Sequence, residues 1–447
     1  MHFFLAITLL LIASGPRTPA AQTAADVTPF LYTVVKVFDP LAWLHGADRF
    51  PGGAQIYLSN ESGRRLLIPN FAASADASIS FDGQRILFSG KARPGDLWQI
   101  WELDLPADKL RPITSFPDDC IRPFYLPDDR VVYARKIAGR FVVETKELSG
   151  SKILDLTYTP SNALPTDVLR DGRILFESAY PLGTDGTPEI YTVYSDGSGV
   201  ESYRCDHGPA RYAARQHSSG DTVFATSRAL AKFASARAQQ LRIVSPAGEY
   251  AGEIAETATS EWLLAWRPDA RTPYRLVRWK TGASDLQEVL AETDGNVLQP
   301  VALVARTAPN RHPSGLHDWP NANLLCLNAY TSKYSIAAGS IQSVRLYTRD
   351  DSGHPRLLGT APVERDGSFF VQVPSEQPLQ FELLNGSGKT VKREAGYFWM
   401  RGGEQRVCVG CHAGPETAPE NAVPQVLLRS TTPADLTGTA AHSTGGD

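Results

Sequence analysis

The 447-residue sequence has few cysteines and methionines, no excess of positive charge and no long apolar run. Five cysteines are too few for a disulfide-stapled scaffold in a chain of this length. The 44 Lys and Arg residues do not outnumber the 48 Asp and Glu residues, and the net charge of -4 argues against a nucleic-acid-binding surface. No run of about 18 apolar residues is present, so no transmembrane helix is expected in the mature chain.

The first 25 residues have the pattern of a secretory signal peptide. An unbroken apolar run over residues 3–13 is followed by Ser-Gly-Pro and then by small residues. This run is too short to cross a bilayer as a helix, which takes about 20 residues. An N-terminal membrane anchor is the alternative. We therefore expect residues 1–25 to be a signal peptide, and the protein to be exported to the periplasm or an equivalent compartment.

A turn containing Asp or Gly, followed by an alternating apolar strand, recurs along the first two thirds of the sequence. ISFDGQRILFSG (79–90) is the clearest copy. The anchor positions of the copies are Asp82, Asp128, Asp171, Ser219 and, in a degenerate copy, Asp269. Their spacing of 46, 43, 48 and 50 residues is that of a four-stranded propeller blade, about 40–50 residues.

A second phrase, an aromatic-rich strand that runs into a polar turn, interleaves with the first. Its six copies lie at 55–63, 99–108, 141–150, 189–199, 241–250 and 274–284. Six copies predict six blades, in which each alternating strand buries one face between neighbouring blades. We therefore predict an all-β fold with a TolB-type or WD-type β-propeller over residues 26–300, with an irregular array of β-sandwiches as the alternative. A propeller alone indicates no activity.

The remaining sequence predicts a second, smaller domain. Residues 301–325 are rich in Pro, Asn and His and lack strand periodicity, which predicts a linker or a long loop. Short alternating strands resume over residues 326–428 and are typical of a small antiparallel β-domain. Residues 429–447 have no core-forming pattern and are predicted to be a disordered tail.

The C-terminal domain contains Cys408-Val409-Gly410-Cys411-His412, the C-x-x-C-H signature of covalent haem attachment. In this spacing two thiols reach the two vinyl groups of one haem, and the adjacent imidazole becomes the proximal ligand of the iron. A zinc site would need a second pair of ligands, and a thioredoxin-like site would need a βαβ setting. We therefore predict one covalent haem c held by Cys408, Cys411 and His412, with zinc, redox thiols or an inert match as alternatives.

The residues before the motif fit a haem pocket. Tyr397 and Trp399 alternate with Phe398 and Met400, so one face of this predicted strand would give the macrocycle an aromatic wall. A core strand without contact to the haem is the alternative. The candidates to pair with the haem propionates are Arg401 and Arg406.

The second axial ligand of the iron stays open between several donors. Met400 precedes the motif, whereas the methionine ligand of common small cytochromes follows it. His312 and His317 lie in the predicted long loop and are the first candidates, followed by His354 and by an open or water-bound position. Two histidine ligands would give a low-spin iron suited to electron transfer, whereas an open position would permit catalysis.

Three cysteines lie outside the motif. Cys120 and Cys205 are candidates for a disulfide between blades, and Cys326 is predicted to be a buried strand residue. No zinc-protease, Walker, serine-hydrolase or EF-hand pattern occurs in the sequence. The Asp-Gly turns are therefore interpreted as structural.

Four phrases of the C-terminal third carry a family resemblance: NLLCLNAYTSK (323–333), APVERDGSFFVQVPSEQPLQFELL (361–384), GEQRVCVGCH (403–412) and APENAVP (418–424). With the preceding propeller they resemble proteins related to the alpha subunit of hydrazine synthase. The resemblance implies a propeller followed by a small haem c domain, with thioether bonds from the two motif cysteines and with the motif histidine as proximal ligand. It also implies a second histidine ligand upstream, best matched by His312 or His317.

The sequence also departs from this family. The synthase alpha subunit carries a further haem at its reaction centre, in an N-terminal region, whereas this sequence has one C-x-x-C-H motif and little sequence before the first predicted blade. The resemblance therefore implies the electron-relay haem, and hydrazine synthesis is not expected. The sequence predicts an exported single-haem cytochrome that exchanges electrons with a redox partner protein. The alternatives are a haem enzyme with an open iron site and an interaction scaffold with a structural haem.

Overall fold

The computed structural model describes residues 28–204, 209–226, 229–233, 240–243, 245–257, 261–332, 335–350, 352–410 and 421–438. Within these ranges the chain forms eight four-stranded sheets. The innermost strands of the first six sheets contact one another in a closed ring, which is the arrangement of a six-bladed β-propeller. The last two sheets form a C-terminal β-sandwich. The predicted all-β fold and its six blades are confirmed.

The first three blades are formed in chain order, each strand antiparallel to its neighbour. Blade 1 contains Phe30–Val35 (β1), Ala54–Asn60 (β2) and Gly63–Leu66 (β3), with a 3-10 helix at Ala42–His45. Blade 2 contains Ala73–Ile79 (β4), Arg85–Lys91 (β5), Gln99–Asp104 (β6) and Lys109–Pro112 (β7). Blade 3 contains Cys120–Leu126 (β8), Arg130–Ile137 (β9), Arg140–Glu147 (β10) and Ile153–Asp155 (β11).

The other three blades follow the same order. Blade 4 contains Ala163–Val168 (β12), Ile174–Tyr180 (β13), Thr187–Val193 (β14) and Glu201–Ser202 (β15). Blade 5 contains Tyr212–Gln216 (β16), Thr222–Ala225 (β17), Leu230–Phe233 (β18) and Gln240–Arg242 (β19). Blade 6 contains Glu249–Glu256 (β20), Trp262–Arg267 (β21), Arg275–Trp279 (β22) and Gln287–Leu290 (β23).

The ring is closed by Asn296–Ala302 (β24), which returns to blade 1 as its innermost strand and pairs antiparallel with β1. Val301 lies opposite Leu31 in this pairing. The hydroxyl of Thr33 donates a hydrogen bond to the side-chain oxygen of Gln299 at 2.9 Å. Because one sheet contains both ends of the propeller, the ring cannot open without breaking this pairing.

The innermost strands are buried on both faces. All seven residues of β4 and all seven of β8 are buried, and in β5 Leu87 is as buried as Ile86 and Phe88. The alternating pattern predicted one buried face per strand. Each blade instead lies between two neighbours, so both of its faces are covered.

The Asp-Gly phrase forms the hairpin between the first and second strands of a blade. In blade 2 the Asp82 carboxylate accepts hydrogen bonds from the Ser80 hydroxyl at 2.5 Å and from the Gln84 amide at 3.0 Å. Gly83 has a φ of 75°, a conformation that favours glycine. The local sequence therefore determines this turn.

Two of the predicted repeat copies were assigned to the wrong strands. The copy at Asp269 forms the turn between β21 and β22, the second and third strands of blade 6, and not a first hairpin. The copy at 241–250 covers the end of β19 and the start of β20, whereas the third strand of blade 5 is β18. Strands with period-2 patterns resemble one another in sequence, and only their pairing partners determine their place.

Replacing Asp82 by alanine is expected to lower the free energy of unfolding by about 1 kcal/mol, because the turn loses two hydrogen bonds. Hydrogen bonds from Ser80 and Gln84 lower the pKa of Asp82. The carboxylate therefore stabilises the fold above its unfolded pKa of about 3.9, and this stabilisation is lost as the pH falls through the lowered pKa. In urea denaturation the difference in the free energy of unfolding between D82A and the wild type should therefore become smaller in acid. D318A is the control, because Asp318 is exposed on a segment without strands. Equal urea midpoints for D82A and D318A would contradict this prediction.

Buried ion pairs fill the centre of the propeller. Arg49 Nη2 lies 2.8 Å from Glu253 Oε1, Arg122 pairs with Glu177, and all four side chains are buried. Burial by itself raises the pKa of Glu253, but the charges of Arg49 and Arg122 outweigh it and lower this pKa to about 2. Glu253 is therefore ionised at neutral pH, and the network joins strands of blades 3, 4 and 6 across the axis.

The C-terminal domain is a sandwich of two sheets. Its strands are Asn321–Cys326 (β25), Ser343–Arg349 (β26), Pro355–Pro362 (β27), Phe369–Pro374 (β28), Gln380–Leu384 (β29), Thr390–Arg393 (β30), Gln405–Cys408 (β31) and Ala434–Asp435 (β32), with a short helix Gln425–Arg429 (α1). One sheet has the order β31-β25-β28-β32 and the other β27-β26-β29-β30. The core between them includes Leu324, Val344, Leu346, Val371 and Leu383.

The domain departs from the prediction in its pairings and boundaries. β25 pairs with β31 and β28 with β32 in parallel, so the domain is not wholly antiparallel. Because β24 and β25 extend into the predicted linker of 301–325, the irregular segment spans only 303–320. In the predicted disordered tail of 429–447, β32 joins the sheet and Leu436 is buried in the core. A single buried leucine does not give the sequence a strand pattern, so the sequence predicts a disordered tail.

Both ends of the chain lie partly outside the described residues. Residues 1–27, which include the predicted signal peptide, and residues 439–447 are in this group. In the part of the chain that the structure describes, no helix is long and apolar enough to cross a membrane.

The irregular segment 303–320, here called the strap, crosses the face of the propeller at which the innermost strands end. The amides of Arg306 and Asn310 donate hydrogen bonds at 2.8 Å to carbonyl groups in or beside the first hairpins of blades 2 and 4. Arg311 pairs with Asp128 of blade 3 at 3.4 Å. The strap is therefore fastened to three blades before the chain enters the sandwich.

Candidate functional site

Cys408 is the last residue of β31 in the C-terminal sandwich. The parallel pairing of β31 with β25 places Cys408 beside Cys326. The Cys408 carbonyl accepts a hydrogen bond from the Leu327 amide at 2.9 Å. The position of the first motif cysteine is thus determined by the sheet. The other two predicted haem-attachment residues, Cys411 and His412, lie outside the described residues.

Gly410, the residue before the second motif cysteine, must be small. A Cβ atom at Gly410 would lie 2.1 Å from the Thr331 carbonyl oxygen. The chain therefore passes the loop after β25 in direct backbone contact, which only glycine permits.

Cys408 faces a cleft between the C-terminal domain and blade 4 of the propeller. The cleft has a cavity volume of about 240 Å³ and is open to solvent on one side. Its walls are mainly apolar and aromatic. The propeller contributes Tyr180, Leu182, Tyr191 and Val200, and the C-terminal domain contributes Leu324, Phe381, Tyr397 and Phe398. The charged side chains of the lining are Glu201, Glu394 and Arg406.

The segment before the motif joins the two walls of the cleft. The Tyr397 amide donates a hydrogen bond to the Leu182 carbonyl of blade 4 at 2.9 Å. Two residues later Trp399 is fully buried between blades 3 and 4, whereas Met400 is fully buried in the sandwich core. These two neighbouring side chains therefore pack into different domains. Because both cores are closely packed, the distance between the two cleft walls is fixed at this point.

The aromatic wall agrees with the prediction at Tyr397 but not at Trp399. Tyr397 and Phe398 both line the cleft, whereas Trp399 packs into the propeller. The segment is not a regular strand, since only Phe398 forms an isolated β-bridge, to Leu379. Side chains of consecutive residues therefore need not alternate between two faces.

Of the two arginines predicted to pair with haem propionates, only Arg406 lines the cleft. Its guanidinium donates hydrogen bonds of 2.9 and 2.7 Å to Glu404 Oε1. Arg401 instead pairs with Glu376 at 3.0 Å and contacts the Tyr158 hydroxyl of the propeller. Arg401 thus belongs to the interface between the domains, and Arg406 is the cation on the described cleft wall.

The candidate distal ligands on the strap are not among the described cleft walls. His312 stacks on Tyr194 with a ring-centroid distance of 3.8 Å, and His317 stacks on Trp319 at 4.7 Å. His354 is exposed beside β27. Among the cleft residues that the structure describes there is no histidine or methionine. Ligation by His312 or His317 stays a prediction.

The described cysteines differ in surroundings. Burial raises the pKa of the Cys408 thiol and Arg406 opposes this only in part, so the thiol is protonated at neutral pH. Cys120 is a free thiol inside the propeller, and burial raises its pKa to about 12. Its predicted disulfide partner, Cys205, lies outside the described residues. Cys326 is buried in β25, as predicted.

The propeller half of the cleft was not identified from the sequence. Tyr180, Leu182, Tyr191 and Val200 precede Cys408 by more than 200 residues, and no motif marks them. Only the contact between Tyr397 and blade 4 brings them to the motif. No sequence signal could have identified them, because their place beside the motif depends on which blade the C-terminal domain packs against.

The cleft fits a flat, largely apolar cofactor. Aromatic side chains on both walls suit the faces of a macrocycle, Cys408 offers a thiol at the wall, and Arg406 offers a positive charge. In the part of the chain described here, no three His, Cys, Asp or Glu side chains are grouped to hold a bare metal ion. The residues present therefore fit one haem attached through Cys408.

Comparison with known proteins relates the chain to one family. Residues 328–413 match the family described as the hydrazine synthase alpha subunit middle domain, and this segment contains the C-x-x-C-H motif. The fold resembles that of Kuenenia stuttgartiensis hydrazine synthase, with a TM-score of 0.77 and 16% sequence identity over 91% of this chain and 72% of that chain. The predicted relation to the hydrazine synthase alpha subunit is confirmed. At this identity the structural match establishes the fold alone.

A further similar structure is TolB from Acinetobacter baumannii. The TM-score is 0.47 at 14% identity, over 62% of this chain and 67% of that chain. Among curated protein sequences, none matches the chain.

Proposed function

We propose that this protein, a relative of the hydrazine synthase alpha subunit, is an exported c-type cytochrome with one covalent haem that exchanges single electrons with a protein partner. Cys408 and Cys411 would hold the haem through thioether bonds, and His412 would ligate its iron. When bound, the haem supplies one-electron redox chemistry. The observation that carries the proposal is that the described cysteine of the C-x-x-C-H motif faces a cleft with aromatic side chains on both walls.

The protein's own residues would orient the cofactor and keep water away. Tyr397 and Leu182 present apolar surface from opposite walls. Arg406, held by the buried carboxylate of Glu404, provides a positive charge for an acidic substituent. The Cys408 thiol, placed at the cleft wall, would hold the haem through a thioether bond.

The propeller would serve as the docking scaffold for the partner. Glu201 of blade 4 and Glu394 of the sandwich line the cleft and add negative charge beside Cys408. A partner with a positively charged surface around its own redox centre would complement these carboxylates. Export agrees with the apolar run at residues 3–13, since haem is attached to such motifs outside the cytoplasm.

One observation favours a second candidate, a haem-dependent oxidoreductase with an open iron position. The described cleft walls contain three tyrosines, Tyr180, Tyr191 and Tyr397, but no histidine or methionine that could complete the coordination of the iron. An iron without a second protein ligand can bind a small substrate. The Tyr191 hydroxyl donates to the Ala179 carbonyl at 3.0 Å, and burial raises its pKa far above the usual value, so it would remain protonated.

Absorption and electron paramagnetic resonance spectra of the protein, produced with cytochrome c maturation machinery, separate the two candidates. A low-spin ferric haem unchanged by cyanide supports electron relay, whereas a high-spin ferric haem that cyanide converts to low spin supports an open site. If His312 or His317 is the distal ligand, its replacement by alanine should produce the high-spin form, with H354A as the control. A protein without haem absorption would contradict both candidates.

A further inference from the structure

We propose that the mouth of the propeller channel, beside the strap, binds a small organic carboxylate. The mouth is a cavity of about 200 Å³, formed by residues at the ends of all six innermost strands and by Val304 and Arg306 of the strap. It shares no described lining residue with the Cys408 cleft. The site is therefore independent of haem.

Two guanidinium groups of the mouth have no carboxylate partner. Arg215 comes from β16 and Arg306 from the strap, and among the residues described neither has a carboxylate oxygen within 4.0 Å. They stack on aromatic rings instead, Arg215 over Phe124 at 5.6 Å and Arg306 over Phe81 at 4.9 Å. Desolvation lowers the pKa of Arg306, the charge of Asp167 opposes this shift, and the charge of Arg215 adds to it. Both guanidinium groups line the same cavity and could bind an anion there.

His217 adds a further unused donor. Its side chain is only 6% exposed, lines the cavity and packs on Trp262 with a ring-centroid distance of 4.6 Å. Neither ring nitrogen has a hydrogen-bond partner in the described part of the protein. Burial lowers the pKa of His217, so the neutral ring has one N–H to donate. A buried polar group of this kind is costly unless a ligand or water pairs with it.

The carboxylates of the mouth are already engaged. Asp167 Oδ2 accepts a hydrogen bond from the Gln216 amide at 2.8 Å. The two oxygens of Glu256 accept hydrogen bonds from the amide and the hydroxyl of Ser218 at 2.8 and 2.5 Å. Asp167 attracts Arg306 only from beyond 4.0 Å. Asp167 and Glu256 keep their charge, but their hydrogen bonds come from Gln216 and Ser218, whereas the two guanidinium groups and the histidine ring line the cavity as donors. These donors favour an anion, and a guanidinium binds a carboxylate through two parallel hydrogen bonds.

The rest of the wall is apolar and indicates an organic ligand. Ile79, Ile254, Val301 and Val304 line the cavity beside the cationic groups. An apolar body would displace water from these side chains while its carboxylate pairs with the arginines. A few convergent polar groups in an otherwise apolar cavity are typical of small-molecule sites.

Calorimetric titration of the full protein with benzoate, benzamide and acetate tests this site. Benzoate is expected to bind at least about tenfold more tightly than benzamide, which lacks the charge, and than acetate, which lacks the apolar body. R306A should weaken benzoate binding by about tenfold or more. R311A is the matched control, since Arg311 lies on the same strap but pairs with Asp128 outside the mouth, and it should bind benzoate like the wild type.

Several results would overturn the proposal. These are equal affinity for benzoate and benzamide, benzoate binding unchanged in both R306A and R215A, or no benzoate binding up to its solubility limit. Equal weakening by R306A and R311A would also overturn it, because the position of the strap and not the guanidinium would then be responsible. Thermal melting of each variant verifies that the fold is intact.

Discussion

Production with cytochrome c maturation machinery is expected to give a coloured protein whose mass exceeds that of the processed polypeptide by about 616 Da, the mass of one haem. Changing both Cys408 and Cys411 to serine should remove this added mass completely, because a hydroxyl group does not form a thioether bond with a vinyl group. Intact-protein mass spectrometry under denaturing conditions measures the effect, since only covalently attached haem survives unfolding.

Cys326 is the matched control for this experiment. It is buried in β25 and lies beside Cys408 in the parallel pairing, but it is outside the motif. C326A should therefore retain the full added mass. A wild-type polypeptide without added mass would refute the haem assignment. Added mass in the double variant would show that attachment uses other residues.

Replacing Trp399 by alanine is expected to lower the free energy of unfolding by about 3–5 kcal/mol. Trp399 is fully buried, and its ring lies 6.3 Å from that of Phe176 and 6.4 Å from that of Tyr158, both in the propeller. Because Trp399 is part of the C-terminal domain, this variant removes packing between the domains. Guanidinium denaturation followed by circular dichroism should show a lower midpoint and separate transitions for the two domains.

Trp319 provides the control for this loss of stability. Its side chain is 51% exposed and stacks on His317, so W319A should change the free energy of unfolding by no more than about 0.5 kcal/mol. Equal destabilisation by the two variants would contradict the assignment of Trp399 as the anchor between the domains. A single transition in W399A with an unchanged midpoint would contradict it too.

The surroundings of Cys408 should also depend on this anchor. One wall of the cleft belongs to blade 4 and the other to the sandwich, and the hydrogen bond from Tyr397 to Leu182 lies two residues from Trp399. Loss of the anchor would let the walls separate and admit water. The propeller therefore acts as half of the candidate site as well as a scaffold.

The propeller was largely predictable because its signals are local. The Ser-x-Asp-Gly turn around Asp82 makes its hydrogen bonds within five residues, so its sequence specifies its shape. Repeats of similar length then predict repeated blades. The misplaced copies at Asp269 and 241–250 show the limit of this approach, since the position of a strand within a blade depends on its partner.

The sandwich was less predictable because its pairings join distant segments. The parallel pair β25–β31 connects residues about 80 positions apart, and β32 joins β28 through two residues. Trp399 and Met400 are adjacent and apolar, yet they enter different cores. Such choices depend on the shape of surfaces that exist only after both domains have formed.

By itself the sequence determined the class of fold, the number of blades and the presence of the C-x-x-C-H motif. Turns, strand periodicity and the spacing of two thiols and an imidazole are all properties of residues close together in the chain. Only the tertiary structure decided that blade 4 completes the cleft at Cys408, and that Arg215, Arg306 and His217 meet at the channel mouth. These residues are far apart in the chain, and the packing of whole blades and domains brings them together.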